Sequence, residues 1–470
     1  MEPNNLLVKR VRKEQTEIEF DRLKADVESW CAHRDKEDQL RQYKTQLSAI
    51  KKLISGAAEH LQTELNKIDL ARPQGDFYAE CQRFDLLVVW LNKVWTFYKD
   101  KFDQRDDGKL RPLLLAADEV VWSCYQQVFR RADFFGAPIR QGPAPLPFVE
   151  ASYSPESFPS ELVPYDLRPS ETGFLQALMN RLPIPLVSLP QSCVRAPWWL
   201  VYVGHEVGHH IQFALADKGG FVKKFQTVVE NAVSTKGGNP DDVERWGRWG
   251  KEIFADVFSV LTMGQWAVWA MVEFETQKPD AMLTRRQQYP SPVIRLYLLA
   301  HTANSLKLDG TAALRGLDVE KMIAGNEQAE RDFSFVPEVV KTALAMEPAP
   351  NVTLEKLVDF DQADFQPRGN VQGWSAALRG PNPAASAIAD LRYARLITSA
   401  TLAAWAEVAL EGDVKRKESR YDLATKALRL IVESREPGDR LELAAAVDST
   451  DFGVELARQL MTANQQQLQP

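Results

Sequence analysis

Between Glu252 and Val272 the chain reads "EIFADVFSVLTMGQWAVWAMV", and Glu252 and Asp256 are its only charged residues. They stand four apart, so on a helix they share one face. The rest of the run is apolar nearly all round, which assigns the helix to the interior. A buried carboxylate is costly unless something positive holds it. The fold must therefore bring metal-binding or cationic groups to this helix.

One stretch offers them. In "VYVGHEVGHHIQ" (201–212) three of the chain's six histidines fall within six positions. His205, Glu206 and His209 fit the pattern His-Glu-x-x-His, which on a helix lets both histidines hold one metal ion from a single face. Glu206 sits about 100° round, beside the ion, where a base for a bound water has to be. His210 points elsewhere and is not read as a ligand. Two His and one Glu with an open fourth position is a recognised catalytic Zn2+ set, so His205, His209 and Glu252 are the expected metal ligands. Asp256, one turn on, can accept the outer N–H of a ligating histidine and fix its tautomer. Gly204 and Gly208 each cost a helix about 1 kcal/mol, which close packing around a metal would offset. The competing reading is a buried helix with satisfied histidines, and the two buried carboxylates weigh against it.

At 470 residues the chain is too long for one simple core, and two or three domains or one elaborated domain is expected. Net charge of −7 gives no footing for a nucleic-acid binder. "VERWGRWGK" (243–251) interleaves Arg245, Arg248 and Lys251 with Trp246 and Trp249, a stacking pattern, but it leads directly into the Glu252 helix and is read as part of it. Cys31, Cys81, Cys124 and Cys193 match neither a disulfide framework nor a CxxC zinc site. Reduced, buried thiols in a cytoplasmic protein are expected. The opening "MEPNNLLVKRVRKEQTEIEF" lacks the apolar core of a signal peptide. Residues 257–272 fall short of the roughly 20 needed to span a bilayer, so no membrane span is expected.

The pattern predicts a mainly α protein with a small sheet (α+β). Residues 5–72 read as helix, with Leu40, Tyr43, Leu47, Ile50, Ile54, Ala57, Leu61, Leu65 and Ile68 forming one stripe. Further helices are expected at about 77–102, 110–131, 197–216, 243–275, 292–305 and 317–345. The tail from 384 to 464 reads as helical, with a stop at "EPGD" (436–439). Proline is frequent from 133 to 197, which favours short strands and loops. "LPIPLVSLP" (182–190) reads as a strand, and Pro183, Pro185 and Pro190 assign it to a sheet edge, where an extended peptide could pair. The organisation is read as a helical region over 1–130, a mixed region carrying the site over 131–345, and a helical region over 346–470.

HEVGH followed by Glu-x-x-x-Asp, as EIFAD, resembles the gluzincin zinc metallopeptidases. The "E-x-x-A-D-x-F" and "HE-x-GHH" forms are similar to two branches, the prenyl-protein-protease-like endopeptidases and the cytosolic IrrE/ImmA-type metallopeptidases. The resemblance spans roughly residues 182–300. It implies a gluzincin-like core between the helical flanks, with a small sheet whose edge strand faces the two zinc helices, bound Zn2+, and a peptide or protein substrate. "YPSPVIR" (289–295) resembles a proline-rich segment ending in Arg that follows the ligand helix in some gluzincins. A histidine often stands first there, so Tyr289 is a departure.

The expected chemistry is peptide hydrolysis by metal-activated water with Glu206 as general base. A further donor should steady the oxyanion, with Tyr289, Arg295 and His301 as candidates in that order. Arg295 could equally anchor a loop to a carboxylate, and His301 could be a core histidine. Cys193, just before the first zinc helix, could block the metal, although core packing explains it better. Two other readings stay open. One is a regulatory or stress- and defence-type protein whose peptidase-like domain acts on one specific partner, engaged through the helical flanks. The other is a non-catalytic scaffold held by structural zinc, which would have no use for Glu206.

Overall fold

The structure is a computed structural model and describes residues 3–37, 40, 43–130, 144–158, 184–215, 220–381, 390–408, 413–435 and 452–462. Helices dominate it, with a small three-stranded sheet among the described residues. The mainly α plus small-sheet expectation holds.

The rod read over 5–72 is two helices, α1 (Pro3–Arg34) and α2 (Lys44–Asn66). One long amphipathic rod would leave its stripe facing water, whereas folding back lets each stripe cover the other. Phe20, Leu23, Val27 and Cys31 of α1 share a core with Leu47, Ile50, Ile54 and Leu61 of α2. The antiparallel register shows in two contacts: Lys13 donates to the Asn66 carbonyl (3.1 Å) and Cys31 to that of Leu47 (3.9 Å). Arg34, buried at the turn, is held by Glu37 (2.7 Å) and Asp106. Helix α3 (Gln74–Asp103) adds Phe84, Leu91 and Trp95 to the same core.

Next come α4 (Arg111–Arg130) and strands β1 (Leu146–Glu150), β2 (Glu156–Phe158) and β3 (Leu186–Pro190). The sheet order is β1-β3-β2, with β3 parallel to β1 and antiparallel to β2. The edge assignment for 182–190 is therefore corrected: β3 is central. The prolines bracket the strand instead of interrupting it. Pro185 precedes it, Pro190 is its last residue, and Pro183 lies outside the described residues. Leu186 through Leu189 keep every backbone N–H. The edge beside the site is β2.

Alternation along the strands makes the sheet a wall between two cores. Leu146, Phe148, Ile184 and Leu186 join the α1–α3 core, while Val149, Val187 and Leu189 join a larger one. Burial on both faces explains why β3 is apolar except for Ser188. The outer edge of β1 is satisfied by the Gln104 amide, which donates to the Val149 carbonyl (2.8 Å) and accepts from its N–H (2.7 Å).

The larger core holds α4 and, after a 3-10 turn (Pro197–Tyr202), helices α5 (Val203–Ala214), α6 (Phe221–Thr235), α7 (Pro240–Met263), α8 (Gln265–Glu275), α9 (Pro292–Ser305) and α10 (Glu327–Leu344). The helix read over 243–275 is broken at Gly264. Its φ of +63° and ψ of −153° suit glycine alone, and Phe365 fills the space a side chain would need. Likewise, the stretch read over 317–345 is a short helix (Val319–Ile323) followed by α10. Trp246 and Trp249 are fully buried, so the aromatic half of "VERWGRWGK" has no surface to offer a base. Helices α11 (Asn370–Arg379), α12 (Tyr393–Val408) and α13 (Asp413–Glu433) also pack on this core. Helix α14 (Phe452–Thr462) does not. Its Leu456, Ala457 and Leu460 belong to the α1–α3 core, and Arg83 of α3 donates to the Met461 carbonyl. The "EPGD" stop and most of the proline-rich stretch lie outside the described residues. No described helix is long and apolar enough to cross a membrane.

The two cores are joined by a buried ion pair. Arg105, fully buried, donates to both oxygens of Asp118 (2.5 and 3.1 Å), and Tyr43 donates to the same carboxylate (2.7 Å). Removing one partner of such a pair strands a buried charge, at about 3–5 kcal/mol. Asp118→Ala is therefore expected to lower unfolding free energy by about that much, measured by urea denaturation.

Candidate metal centre

Helix α5 delivers the histidines, and its glycines set how closely it meets α7. A Cβ on Gly208 would stand 3.0 Å from Ala255 Cα and 3.3 Å from Phe258 Cβ. Backbone cannot yield there, so only glycine allows this approach. On the opposite side His210 Nε2 lies 3.2 Å from the Leu186 carbonyl, which ties α5 to β3. Burial pulls the His210 pKa down to about 3, so this ring is a neutral donor and takes no part in the cluster.

The close approach brings three ligand atoms together. His205 Nε2 and His209 Nε2 are 3.2 Å apart, and each is 3.4 Å from Glu252 Oε2. Oε2 is buried, yet no hydrogen bond of sound geometry reaches it. A tetrahedral ion with bonds of about 2.0–2.1 Å sets its ligands about 3.3–3.4 Å apart. Two edges of the triangle match and the third is slightly shorter, so the cluster could hold a metal ion. Burial alone would raise the Glu252 pKa, but the His209 and His205 rings hold it well below the usual carboxylate range.

Behind the triangle runs a chain of buried charges. His205 Nδ1 donates to Asp256 Oδ1 at 2.9 Å. Arg295 grips both Asp256 oxygens at 2.8 Å, and its third nitrogen donates to Glu275 at 2.9 Å. Glu275 in turn accepts from Arg286, also at 2.9 Å. Burial would lower the His205 pKa, but the Asp256 and Glu252 carboxylates beside the ring outweigh burial and raise it to about 10. Burial would raise the Asp256 pKa, and Arg295 with His205 lowers it instead. The second histidine has its own support: the Gln212 amide lies 2.9 Å from His209 Nδ1 and donates to the Lys251 carbonyl at 3.2 Å.

The triangle opens on a cleft of about 600 Å³. Glu206 lines it beside both histidines, and no described residue hydrogen-bonds or pairs with its carboxylate. Tyr289 lines it too, its ring lying 5.0 Å from the Arg295 guanidinium. The loop carrying Tyr289 is pinned by Arg286 to Glu275 and by Arg285 to Asp332 (2.7 Å).

The structure thus brings His205, Glu206, His209, Glu252 and Tyr289 to one cleft, with Asp256 directly behind. Arg295 is not on the cleft wall. It is buried, with its donors engaged by two carboxylates, which is the anchoring role. His301 sits beside Tyr297 on α9 and does not line the cleft. Cys193 is core, where burial pushes its thiol up to about 12, and it does not line the cleft either. Glu275 and Gln212 were not singled out from sequence. Glu275 had a signal, being an acid that closes the apolar run of α8. Gln212 follows His209 by three residues, and nothing in its type marks it.

Asp256→Asn is expected to lower metal affinity roughly 10–100-fold, because it frees the His205 ring. Chelator competition measures this. In the metal-free protein His205 carries both ring protons at neutral pH, and Nε2 must lose one to bind an ion. Metal affinity should accordingly rise about tenfold per pH unit between roughly pH 7 and 9, with proton release visible by calorimetry in buffers of different ionisation enthalpy. Comparison with protein-family models, with curated proteins and with solved structures finds no match.

Proposed function

We propose that this protein is a zinc-dependent peptidase that hydrolyses peptide bonds in the cleft, with Glu206 as general base. The observation that carries the reading is the buried, hydrogen-bond-free Oε2 of Glu252 set between two imidazoles, with an unengaged glutamate beside them. Two nitrogens and one oxygen at tetrahedral spacing suit zinc, and three protein ligands are the catalytic number. A structural site would close with a fourth, and among the described residues the cluster has three.

When bound, the ion supplies a Lewis acid that polarises a carbonyl and makes water acidic near neutral pH. Glu206 accepts the proton of the attacking water and passes it to the leaving amine. Its carboxylate is free to do so because no described residue competes for it. Burial pushes the Tyr289 phenol pKa up, so the group keeps its proton and can donate to the carbonyl oxygen as charge builds there. Asp256 holds the His205 ring in place, and Arg295 holds Asp256. Pro155, Glu156 and Ser157 bring the β2 edge into the cleft, where an extended peptide can add as a further strand.

Glu206→Gln should keep its zinc and lose activity by roughly 10²–10⁴-fold. Glu252→Ala should lose most of both. Tyr289→Phe should lower kcat by roughly 10²–10³-fold with zinc content unchanged. Zinc by elemental analysis and cleavage of unfolded casein and short peptides measure these. Cleavage at the normal rate by Glu206→Gln would defeat the reading.

A further inference from the structure

The cleft carries two cations that the chemistry above leaves unused. Arg248 and Lys251 both line it from α7, immediately ahead of Glu252. Lys251 is exposed, and its ammonium stands 5.0 Å from the Phe213 ring with no carboxylate partner among the described residues. Arg248 has one partner, Glu244 at 3.8 Å, and both side chains are largely in water. A pair that exposed is worth little and gives way readily to a better anion. Phe213 and Val222 add apolar lining to the same cleft.

Distance decides where a substrate would meet them. Arg248 precedes Glu252 by four residues, about 6 Å along the helix axis on the same face. An extended peptide advances about 3.3–3.6 Å per residue. A group held by Arg248 and Lys251 therefore lies within about two or three residues of the bond being cut. The chain as a whole is acidic, with a net charge of −7, so this local positive pair runs against the background.

We infer that Arg248 and Lys251 form a carboxylate-recognition subsite, and that the substrate presents either an acidic side chain or its own terminal carboxylate there. This rests on the peptidase reading for the cleavage step but not for binding. The two sources are separated by three versions of one peptide: a Glu side chain with an amidated end, a neutral sequence with a free terminal carboxylate, and a neutral amidated control. Binding is read by fluorescence anisotropy on Glu206→Gln protein, and kcat/KM on the wild type.

One carboxylate peptide is expected to bind and to be cleaved roughly tenfold better than the control. The preference should shrink as salt rises. In the Arg248→Glu, Lys251→Glu double variant it should reverse in favour of a Lys-bearing peptide, with zinc content unchanged. Preference in binding without cleavage would overturn the peptidase reading and leave the subsite standing. Cleavage with no carboxylate preference, or a preference that the double variant retains, would overturn the subsite and leave the peptidase reading standing. Neither binding nor cleavage of any version would overturn both.

Discussion

A buried carboxylate oxygen without a hydrogen-bond partner is an unstable thing to build, and Glu252 Oε2 is one. The surrounding structure makes sense as its compensation. Two imidazoles face it from α5. A glycine contact sets the helices close enough for that, and a second carboxylate behind the first ring keeps the ring charged while no ion is held. Desolvation of an isolated carboxylate would cost several kcal/mol. Here two imidazoles meet it, each with a ring nitrogen 3.4 Å away.

The same logic extends outwards in layers. Asp256 needs Arg295, Arg295 needs Glu275, and Glu275 takes Arg286, which belongs to the loop that carries Tyr289. A buried charge network is satisfied only as a set. Ligand geometry and the position of Tyr289 are therefore fixed by one connected series of ion pairs. On the opposite flank, His210 bonds to the carbonyl of Leu186, and Leu186 pairs with Phe158 of β2. The strand edge and the histidine helix cannot shift independently.

Legibility in the sequence followed the range of the interactions. Helical stripes and the His-Glu-x-x-His spacing are local patterns, and most helices stand where their periodicity put them. The burial of Glu252 and Asp256 could be argued from their apolar neighbours alone. What was misplaced depended on partners far along the chain. The fold-back of α1 on α2 exists because each stripe needs the other. The break at Gly264 depends on Phe365, a hundred residues on. The prolines of 182–190 suggest an edge, but those described fall at the ends of β3, and its central place is decided by β1 and β2 together. Arg295 is an anchor because of Glu275, which no motif marked.

The placement of α14 has a consequence for how the chain is made. Its apolar face completes a core whose helical members, α1 to α3, lie more than 300 residues earlier, with β1 and β3 contributing from between. During synthesis those three helices must wait with that face uncovered until residue 460 has emerged, after the entire larger core has been produced. Domains ordinarily fold in the order in which they leave the ribosome. Here an earlier segment is completed only by one made more than 300 residues later.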